Sequence, residues 1–227
     1  MIVRQSLKQL ASHILIPIVR WYLRKERKYR YGDINIIVSP EVFHPGLFSS
    51  TGFLLTFLRD QKLEGSSLLE LGCGTGLISI VAAHKGARVT ASDLNAKAIE
   101  NAGDNAAKNN AKIRFILSDV FEKIPATSFD WIIINPPYYP QRPASDRDLA
   151  WYCGENFEYF QKFFSCVGRY THEQSNVIMV LTKGCDLTKI FSIASDAGYM
   201  FTMLREKSVL FDEKDFLYRI ERISSTE

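Results

Sequence analysis

The 227-residue chain has few cysteines, little net charge and no long apolar run. Its four cysteines show neither metal-ligand spacing nor a paired framework. This argues against a zinc site or a disulfide scaffold and predicts reduced thiols in a cytoplasmic protein. The net charge of +3 permits an anionic partner without requiring one. No residue cluster suggests a metal centre or a covalent nucleophile, and the length suits a single domain.

The first 30 residues join an apolar helical pattern to a basic run. The apolar stretch at residues 14–19 is too short to span a bilayer, and no small-residue cleavage site follows it. We therefore expect neither a signal peptide nor a transmembrane segment. Between Arg20 and Arg30, basic residues alternate with aromatic ones. This predicts a solvated helix face, a nucleic-acid contact or a membrane-surface helix. We assign residues 1–40 to an N-terminal extension and residues 41–227 to the main domain.

Strand and helix patterns alternate from Ser66 onward, which predicts a parallel sheet covered on both faces. The predicted strands are 67–71, 88–92, 113–117, 131–134 and 176–181. Two further strand patterns, 200–210 and 216–223, are too close together for a parallel crossover and must pair antiparallel. The expected fold is α/β, with a mostly parallel seven-stranded sheet closed by a C-terminal antiparallel hairpin.

The segment Leu-Glu-Leu-Gly-Cys-Gly-Thr-Gly at residues 69–76 joins a buried strand to a helix through a tight turn. Glycines allow backbone angles closed to other residues and let a ligand approach the bare backbone. The spacing is neither a dinucleotide fingerprint nor a phosphate-binding P-loop. A glycine-rich turn without a ligand is the alternative interpretation.

Polar or unusual residues also follow the next three predicted strands, at Asp93, at Ser118-Asp119 and at Asn135 to Tyr138. Ligands of open α/β sheets bind beyond the carboxyl ends of the strands, so these positions predict one shared site. Asp93 comes 21 positions after Gly72 and could accept hydrogen bonds from both ribose hydroxyls of a nucleoside. The alternative is that Asp93 caps the following helix.

The tetrad Asn135-Pro136-Pro137-Tyr138 offers two oxygen acceptors for a planar NH₂ group, the Asn135 side chain and the Pro136 carbonyl. Two prolines after a buried strand leave the backbone without ladder donors and stiffen it. Tyr138 would stack on the planar group. An amide or adenine nitrogen is a poor nucleophile, and holding both of its hydrogens would orient it for attack.

The glycine turn and this tetrad resemble motifs I and IV of class I S-adenosylmethionine-dependent methyltransferases. The stretch from Val42 to Tyr138 is similar to the HemK-type protein glutamine N5-methyltransferases, with Pro45 and Thr51 as counterparts of their Pro-rich segment. The resemblance implies a Rossmann-like fold and S-adenosylmethionine as cofactor, with S-adenosylhomocysteine as product.

The resemblance also implies roles for individual residues. The catalytic residues would be Asn135, Pro136 and Tyr138, and the substrate-binding residues would be these three with Pro137 and Thr51. The cofactor would contact Glu70, Gly72, Cys73, Gly74, Gly76, Asp93, Leu94, Ser118, Asp119, Val120 and Asn135. Within that set, Glu70 would face the methionine end, Leu94 and Val120 the adenine ring, and Asp119 the adenine amine.

The methyl acceptor stays open at this point. A protein glutamine is favoured by the HemK-type resemblance, and an adenine N6 or guanine N2 of RNA or DNA is the alternative, supported by the basic run up to Arg30. A catalytically silent binding subunit is a third possibility. The loop from Tyr139 to Cys153 is long enough to be a functional lid or a mobile segment.

Overall fold

The computed structural model describes residues 24–208 and 214–223. In chain order the strands are β1 Arg27–Tyr31, β2 Ile34–Val38, β3 Ser67–Leu71, β4 Arg88–Asp93, β5 Ile113–Leu117, β6 Trp131–Ile134, β7 Asn176–Thr182, β8 Tyr199–Ser208 and β9 Lys214–Arg222. The helices are α1 Ser49–Arg59, α2 Leu77–His84, α3 Ala96–Lys108, α4 Glu158–Cys166 and α5 Leu187–Asp196. Short 3₁₀ turns cover Asp146–Ala150 and Val167–Tyr170.

Seven strands form one sheet in the order β5-β4-β3-β6-β7-β9-β8. The first five of that order pair in parallel, and β9 pairs antiparallel with both β7 and β8. The predicted fold class is confirmed. Because the chain moves outward from β3 to β5 and then returns to β6, the strand order reverses between β3 and β6. Leu71 pairs with Ile134 across that crevice, so the glycine turn and Asn135 leave the sheet side by side.

Both faces of the sheet are covered, because β6 and most of β3 and β7 are apolar at successive rather than at alternate positions. Leu68 and Ile133 pack under α1 and α2 on one face. Leu69, Ile132 and Ile134 pack under α4 and α5 on the other. This double burial makes the central strands a rigid base for the loops at their carboxyl ends.

Residues 27–31 correct the sequence prediction. The helix expected over residues 2–30 does not extend into them, because they form β1, which pairs antiparallel with β2 around the Gly32-Asp33 turn. The period-two alternation of Arg-Lys-Tyr-Arg-Tyr explains this, since it places Tyr29 and Tyr31 together on the core-facing side. The rest of the predicted helix, with Arg20, lies outside the described residues, and the boundary at residue 40 stays a prediction.

Two helix starts have unusual caps. A Ser-Ser-Thr run before an apolar helical period is typical of a helix cap, but the capping position of α1 is Phe48, and Ser49, Ser50 and Thr51 form the first turn. Helix α4 begins at Glu158, because Phe157 before it adopts a left-handed conformation with φ of 61°. Over residues 24–208 and 214–223, no helix is long and apolar enough to cross a membrane.

Helix α3 holds the β1–β2 hairpin through an asparagine ladder. Its Asn101, Asn105 and Asn109 recur every four residues and therefore lie on one face. Their amide oxygens accept hydrogen bonds from the backbone N–H groups of Asn35 and Ile37 in β2 and of Ser39 just after it, over 2.8 to 3.2 Å. The side chains thus replace a neighbouring strand along the free edge of β2, which explains why this helix is rich in asparagine.

Asn105 is the central rung of the ladder. Its side chain is buried, accepts from the Ile37 N–H at 2.8 Å and donates to the Ile37 carbonyl at 2.8 Å. It also donates to the Thr75 carbonyl at 3.0 Å. One side chain therefore fastens the hairpin to the glycine turn.

We expect Asn105→Ala to lower the free energy of unfolding by about 2–4 kcal/mol, because it leaves the Ile37 N–H and the Thr75 carbonyl without these partners, while the Ile37 carbonyl keeps the Asn101 amide. Urea denaturation measures this. Asp104→Ala, at the exposed neighbouring position, is the matched control and should stay within about 0.5 kcal/mol of the parent. Equal stability of the two variants would contradict the structural role of the ladder.

Candidate active site

A cavity of about 280 Å³ opens at the carboxyl ends of β3, β4, β5 and β6. It is lined by the glycine turn, the residues after β4 and β5, the 135–138 tetrad and parts of the loop 139–153. Fourteen of the fifteen residues predicted from the sequence lie on its wall, namely Thr51, Glu70, Gly72, Cys73, Gly74, Asp93, Leu94, Ser118, Asp119, Val120, Asn135, Pro136, Pro137 and Tyr138. The fifteenth, Gly76, does not line the cavity.

The glycine turn leaves bare backbone facing the cavity. Gly72 and Gly74 have φ of 74° and 51°, which glycine adopts without strain. The N–H groups of Gly72 and Cys73 both donate to the Ser92 carbonyl, which fixes the turn to β4. A Cβ on Gly72 would meet no atom within 4 Å, whereas a Cβ on Gly76 would come within 3.0 Å of Ala102. Gly72 therefore leaves room for a ligand, and Gly76 allows α2 and α3 to pack closely.

We expect Gly72→Ala to weaken cofactor binding roughly tenfold, because the new methyl group fills space a ligand would use. Gly65→Ala is the matched control, since Gly65 has φ of 73° and equally open surroundings but lies outside the cavity. Both substitutions should destabilise the fold by about 1 kcal/mol through the same left-handed strain. Calorimetric titration with S-adenosylhomocysteine separates them, and equal affinities would show that Gly72 does not contact the ligand.

Asp93 presents its carboxylate at the end of β4. Its Oδ2 accepts from the Gly74 N–H and its Oδ1 from the Asn95 N–H, both at 2.9 Å. Burial raises the pKa of this carboxyl, and the backbone donors at Asn95 and Gly74 oppose the rise. Asn95, not Asp93, caps α3, because its side chain accepts from the Lys97 N–H. The capping alternative for Asp93 is therefore wrong, and its free lone pairs can face the cavity.

Glu70 lies within β3, as the second-last residue of the strand. It is 3% exposed and accepts a hydrogen bond from the Ser79 hydroxyl. Burial raises the pKa of Glu70 to about 8, although the Ser79 hydrogen bond opposes the shift. A buried carboxyl on a cavity wall becomes easier to ionise when a cation binds beside it.

Ser118 and Asp119, which follow β5, make different contacts. The Ser118 hydroxyl donates to the Val120 carbonyl at 3.2 Å and accepts from the Lys123 N–H at 3.0 Å, so it shapes the turn. The Asp119 carboxylate pairs with Lys162 of α4. Leu94, on the neighbouring tip, is 47% exposed, an unusual position for a leucine on a cavity wall.

Asn135 carries the decisive polar atom of the cavity. Its Oδ1 is buried and has no hydrogen-bond partner among residues 24–208 and 214–223. A buried amide oxygen without a partner is unfavourable in the unliganded protein, and such atoms mark places where a donor is missing. Pro136 beside it is buried and has no N–H to compete for a ligand's acceptors.

Tyr138 lies behind Asn135 and is 7% exposed. Burial raises the pKa of its hydroxyl far above the ordinary value, so the phenol stays neutral and cannot act as a base near neutral pH. Its backbone N–H donates to the Trp151 carbonyl at 3.1 Å, which attaches the tetrad to the end of the loop.

The loop 139–153 is folded over the cavity mouth. The Cys153 N–H donates to the Tyr139 carbonyl at 2.9 Å and closes the base of the loop. The Trp151 ring lies 5.3 Å from the Phe43 ring and 4.6 Å from the Phe48 ring. This aromatic cluster joins the loop to the segment before α1, whose Pro45 lines the cavity. Trp151 lies more than 100 residues after Phe43 and Phe48, so no local pattern indicates the cluster.

Residues 33–152, more than half of the chain, match the family of the methyltransferase small domain. The chain belongs to that family. It is an S-adenosylmethionine-dependent methyltransferase.

Individual relatives act on different acceptors. A Methanocaldococcus jannaschii protein with the provisional name protein N5-glutamine methyltransferase is 36% identical over 146 residues, 64% of this chain and 71% of its own. The ribosomal RNA small subunit methyltransferase C of Actinobacillus pleuropneumoniae is 37% identical over 117 residues, 50% of this chain and 35% of its own. This chain therefore spans most of the first relative but about a third of the second.

The fold of this small methyltransferase domain also matches solved structures. A 16S rRNA guanine-N2 methyltransferase from T. thermophilus, in complex with AdoMet and guanosine, superposes with a TM-score of 0.63 at 20% identity. The match covers 86% of this chain and 50% of that one. At this identity the likeness supports the fold alone.

Proposed function

We propose that this methyltransferase transfers the methyl group of S-adenosylmethionine to a planar amide nitrogen, the side chain of a glutamine in a protein substrate. The observation that carries the proposal is the buried Asn135 oxygen without a partner. It lies beside a proline carbonyl, at the crevice where ligands of such sheets bind. A planar NH₂ group has two hydrogens, and these two oxygens can accept them.

The cofactor site would run from the glycine turn to the tips of β4 and β5. Asp93 would accept from the ribose hydroxyls, and the exposed Leu94 would be covered by the adenine ring. Asp119 would accept from the adenine amine through the oxygen that Lys162 leaves available. Glu70 would lie near the methionine ammonium. All four line the same cavity.

The chain's own contribution to the reaction is positioning. When bound, S-adenosylmethionine supplies a methyl group on a positively charged sulfur, which is already an activated leaving group. Asn135 and the Pro136 carbonyl would hold the acceptor's two hydrogens, so that the nitrogen lone pair faces the methyl group. These acceptors also stabilise the positive charge that develops on the nitrogen. The nitrogen then releases one proton to water, because Tyr138 stays neutral and no base is required of it.

The charges of the cavity rim favour a neutral protein side chain over a polyanion. Glu41, Asp146 and Glu158 line the outer wall. Lys97 is paired with Glu41 and also interacts with Asp146, which leaves three carboxylates against one ammonium group among these four side chains. A nucleic-acid backbone brought to this rim would meet net negative charge, whereas an extended peptide carrying an amide would not.

One observation favours the second candidate, methylation of an RNA or DNA base. Lys28 and Arg30 alternate on the exposed side of β1, and Lys108 of α3 lies on the same surface. Such a cluster suits phosphate contacts. This basic cluster lies on the hairpin rather than on the cavity wall, so it could bind a nucleic acid without placing a base in the cavity.

The test is methyl transfer into a lysate from S-adenosylmethionine carrying a labelled methyl group, followed by protease or nuclease digestion. Label that becomes acid-soluble with protease alone, and that acid hydrolysis releases as methylamine, supports a glutamine acceptor. Release by nuclease alone overturns it and supports the base. A parallel reaction with Asn135→Ala measures the label that other enzymes of the lysate transfer.

A further inference from the structure

Tyr159 is a cavity residue with no role in the site described so far. It lies in the first turn of α4, and its N–H donates to the Cys153 carbonyl at 3.0 Å. It lines the same cavity as Asp93 and Asp119. Its hydroxyl is buried and has no hydrogen-bond partner in the described structure. A buried hydroxyl without a partner is unfavourable, as is the Asn135 oxygen, and both residues line the same cavity.

The neighbouring side chains make a donor valuable at this position. Asp93 and Asp119 can only accept hydrogen bonds, which suits ribose hydroxyls and an exocyclic amine. The adenine ring also has nitrogen atoms that accept. Lys162 is engaged with Asp119 and Glu122, and the Ser118 hydroxyl already donates within its own turn. Tyr159 is three residues before Lys162 on α4, so both side chains lie on one helix face.

Its protonation state suits this role. Burial, together with the charges of Asp93 and Asp119, raises the pKa of the Tyr159 hydroxyl far above its ordinary value. The hydroxyl therefore keeps its proton and remains a donor over the whole physiological range.

We propose that Tyr159 is a specificity-determining residue of the cofactor site, whose hydroxyl donates to a ring nitrogen of the cofactor's adenine. This rests on the proposed function, which places adenosine between Asp93 and Asp119. Asp119 would then accept from the exocyclic amine of adenine, and the Tyr159 hydroxyl would donate to a ring nitrogen. Together the two side chains would recognise one donor and one acceptor of the base. Hypoxanthine, which carries a carbonyl in place of the amine, would leave Asp119 facing an acceptor.

The experiment compares Tyr159→Phe with Tyr170→Phe in the full chain by calorimetric titration with S-adenosylhomocysteine and by thermal unfolding. Tyr170 is the matched control, because its hydroxyl is also buried but donates to the Phe121 and Ile124 carbonyls away from the cavity. Tyr159→Phe should weaken binding about tenfold and leave the unfolding temperature unchanged or higher, since no protein partner is lost. Tyr170→Phe should lower the unfolding temperature and leave the affinity unchanged.

Analogues of S-adenosylhomocysteine in which one ring nitrogen at a time is replaced by carbon identify the acceptor. The parent should bind one of them about tenfold more weakly, and Tyr159→Phe should bind that analogue and the natural compound equally. Equal affinity of the parent and Tyr159→Phe for the natural compound would overturn the inference. Failure of the parent to bind S-adenosylhomocysteine at all would instead overturn the proposed cofactor site.

Discussion

Asn135→Ala is expected to lower kcat by about 10²–10³-fold while leaving the affinity for S-adenosylmethionine within a few-fold of the parent. The substitution removes one of the two oxygens proposed to hold the acceptor nitrogen. It leaves Asp93, Glu70 and the glycine turn in place. The loss should therefore fall on the chemical step and on acceptor binding rather than on the cofactor.

The same substitution should also have an unusual effect on the stability of the unliganded protein. Most changes at partly buried positions destabilise a protein, but Asn135 Oδ1 has no partner to lose. Removing it takes away a desolvated acceptor, so the unliganded variant should unfold at the same temperature or higher. Functional residues often lower the stability of the fold while they raise turnover, and Asn135 would follow this pattern.

Single-turnover methyl transfer, calorimetric titration and thermal unfolding measure the three quantities. Asn176→Ala, at the first residue of β7 and outside the cavity, is the matched control and should leave transfer unchanged. If Asn135→Ala transfers methyl groups at the parental rate, the amide does not position the acceptor.

The sequence predicts the sheet well because its signals are local. β3, β5 and β6 match the predicted bounds residue for residue. Buried parallel strands are short continuous apolar runs, and each ends where a polar or glycine residue begins. Once the parallel order is known, the strand ends must meet at one edge, so the shared cavity follows.

What the sequence could not supply depends on contacts between distant segments. The basic run was interpreted as a helix because lysine and arginine are compatible with either structure, and only the packing of Tyr29 and Tyr31 on the core decides for a strand. The buried hydroxyl of Tyr159 is likewise invisible in the sequence, since a tyrosine in an amphipathic helix is ordinarily a core residue. The sequence shows that α3 is rich in asparagine, but it does not show that these side chains bind the backbone of β2.

Glu70 provides the second large effect, a pH dependence of cofactor binding. In the unliganded protein burial holds the pKa of Glu70 at about 8, so the carboxyl is mostly protonated at neutral pH. A methionine ammonium bound beside it would favour the ionised form and lower that pKa. Binding below pH 8 must then release a proton, so the affinity should rise with pH, by up to about tenfold per pH unit.

The window for the measurement is roughly pH 5.5 to 7.5, where the ligand's own α-amino group remains protonated. Titrations in buffers of different ionisation enthalpy should detect the release of close to one proton per site near pH 7. Glu70→Gln should abolish both the proton release and the slope, because glutamine does not titrate. A slope that persists in Glu70→Gln would assign the pH dependence to another group, with Asp93 as the first candidate.

The unliganded protein should respond to pH in the opposite direction. The carboxyl of Glu70 titrates near 4.5 when unfolded and near 8 when folded, so between these values the folded state holds the extra proton. The free energy of unfolding should therefore fall as pH rises through that window, and Glu70→Gln should flatten this dependence. Added S-adenosylhomocysteine at saturating concentration should flatten this dependence, because Glu70 is then ionised in both the liganded and the unfolded protein across that window. Slopes of opposite sign in affinity and in unliganded stability, both removed by one substitution, would arise only if Glu70 is the group that meets the ligand's charge.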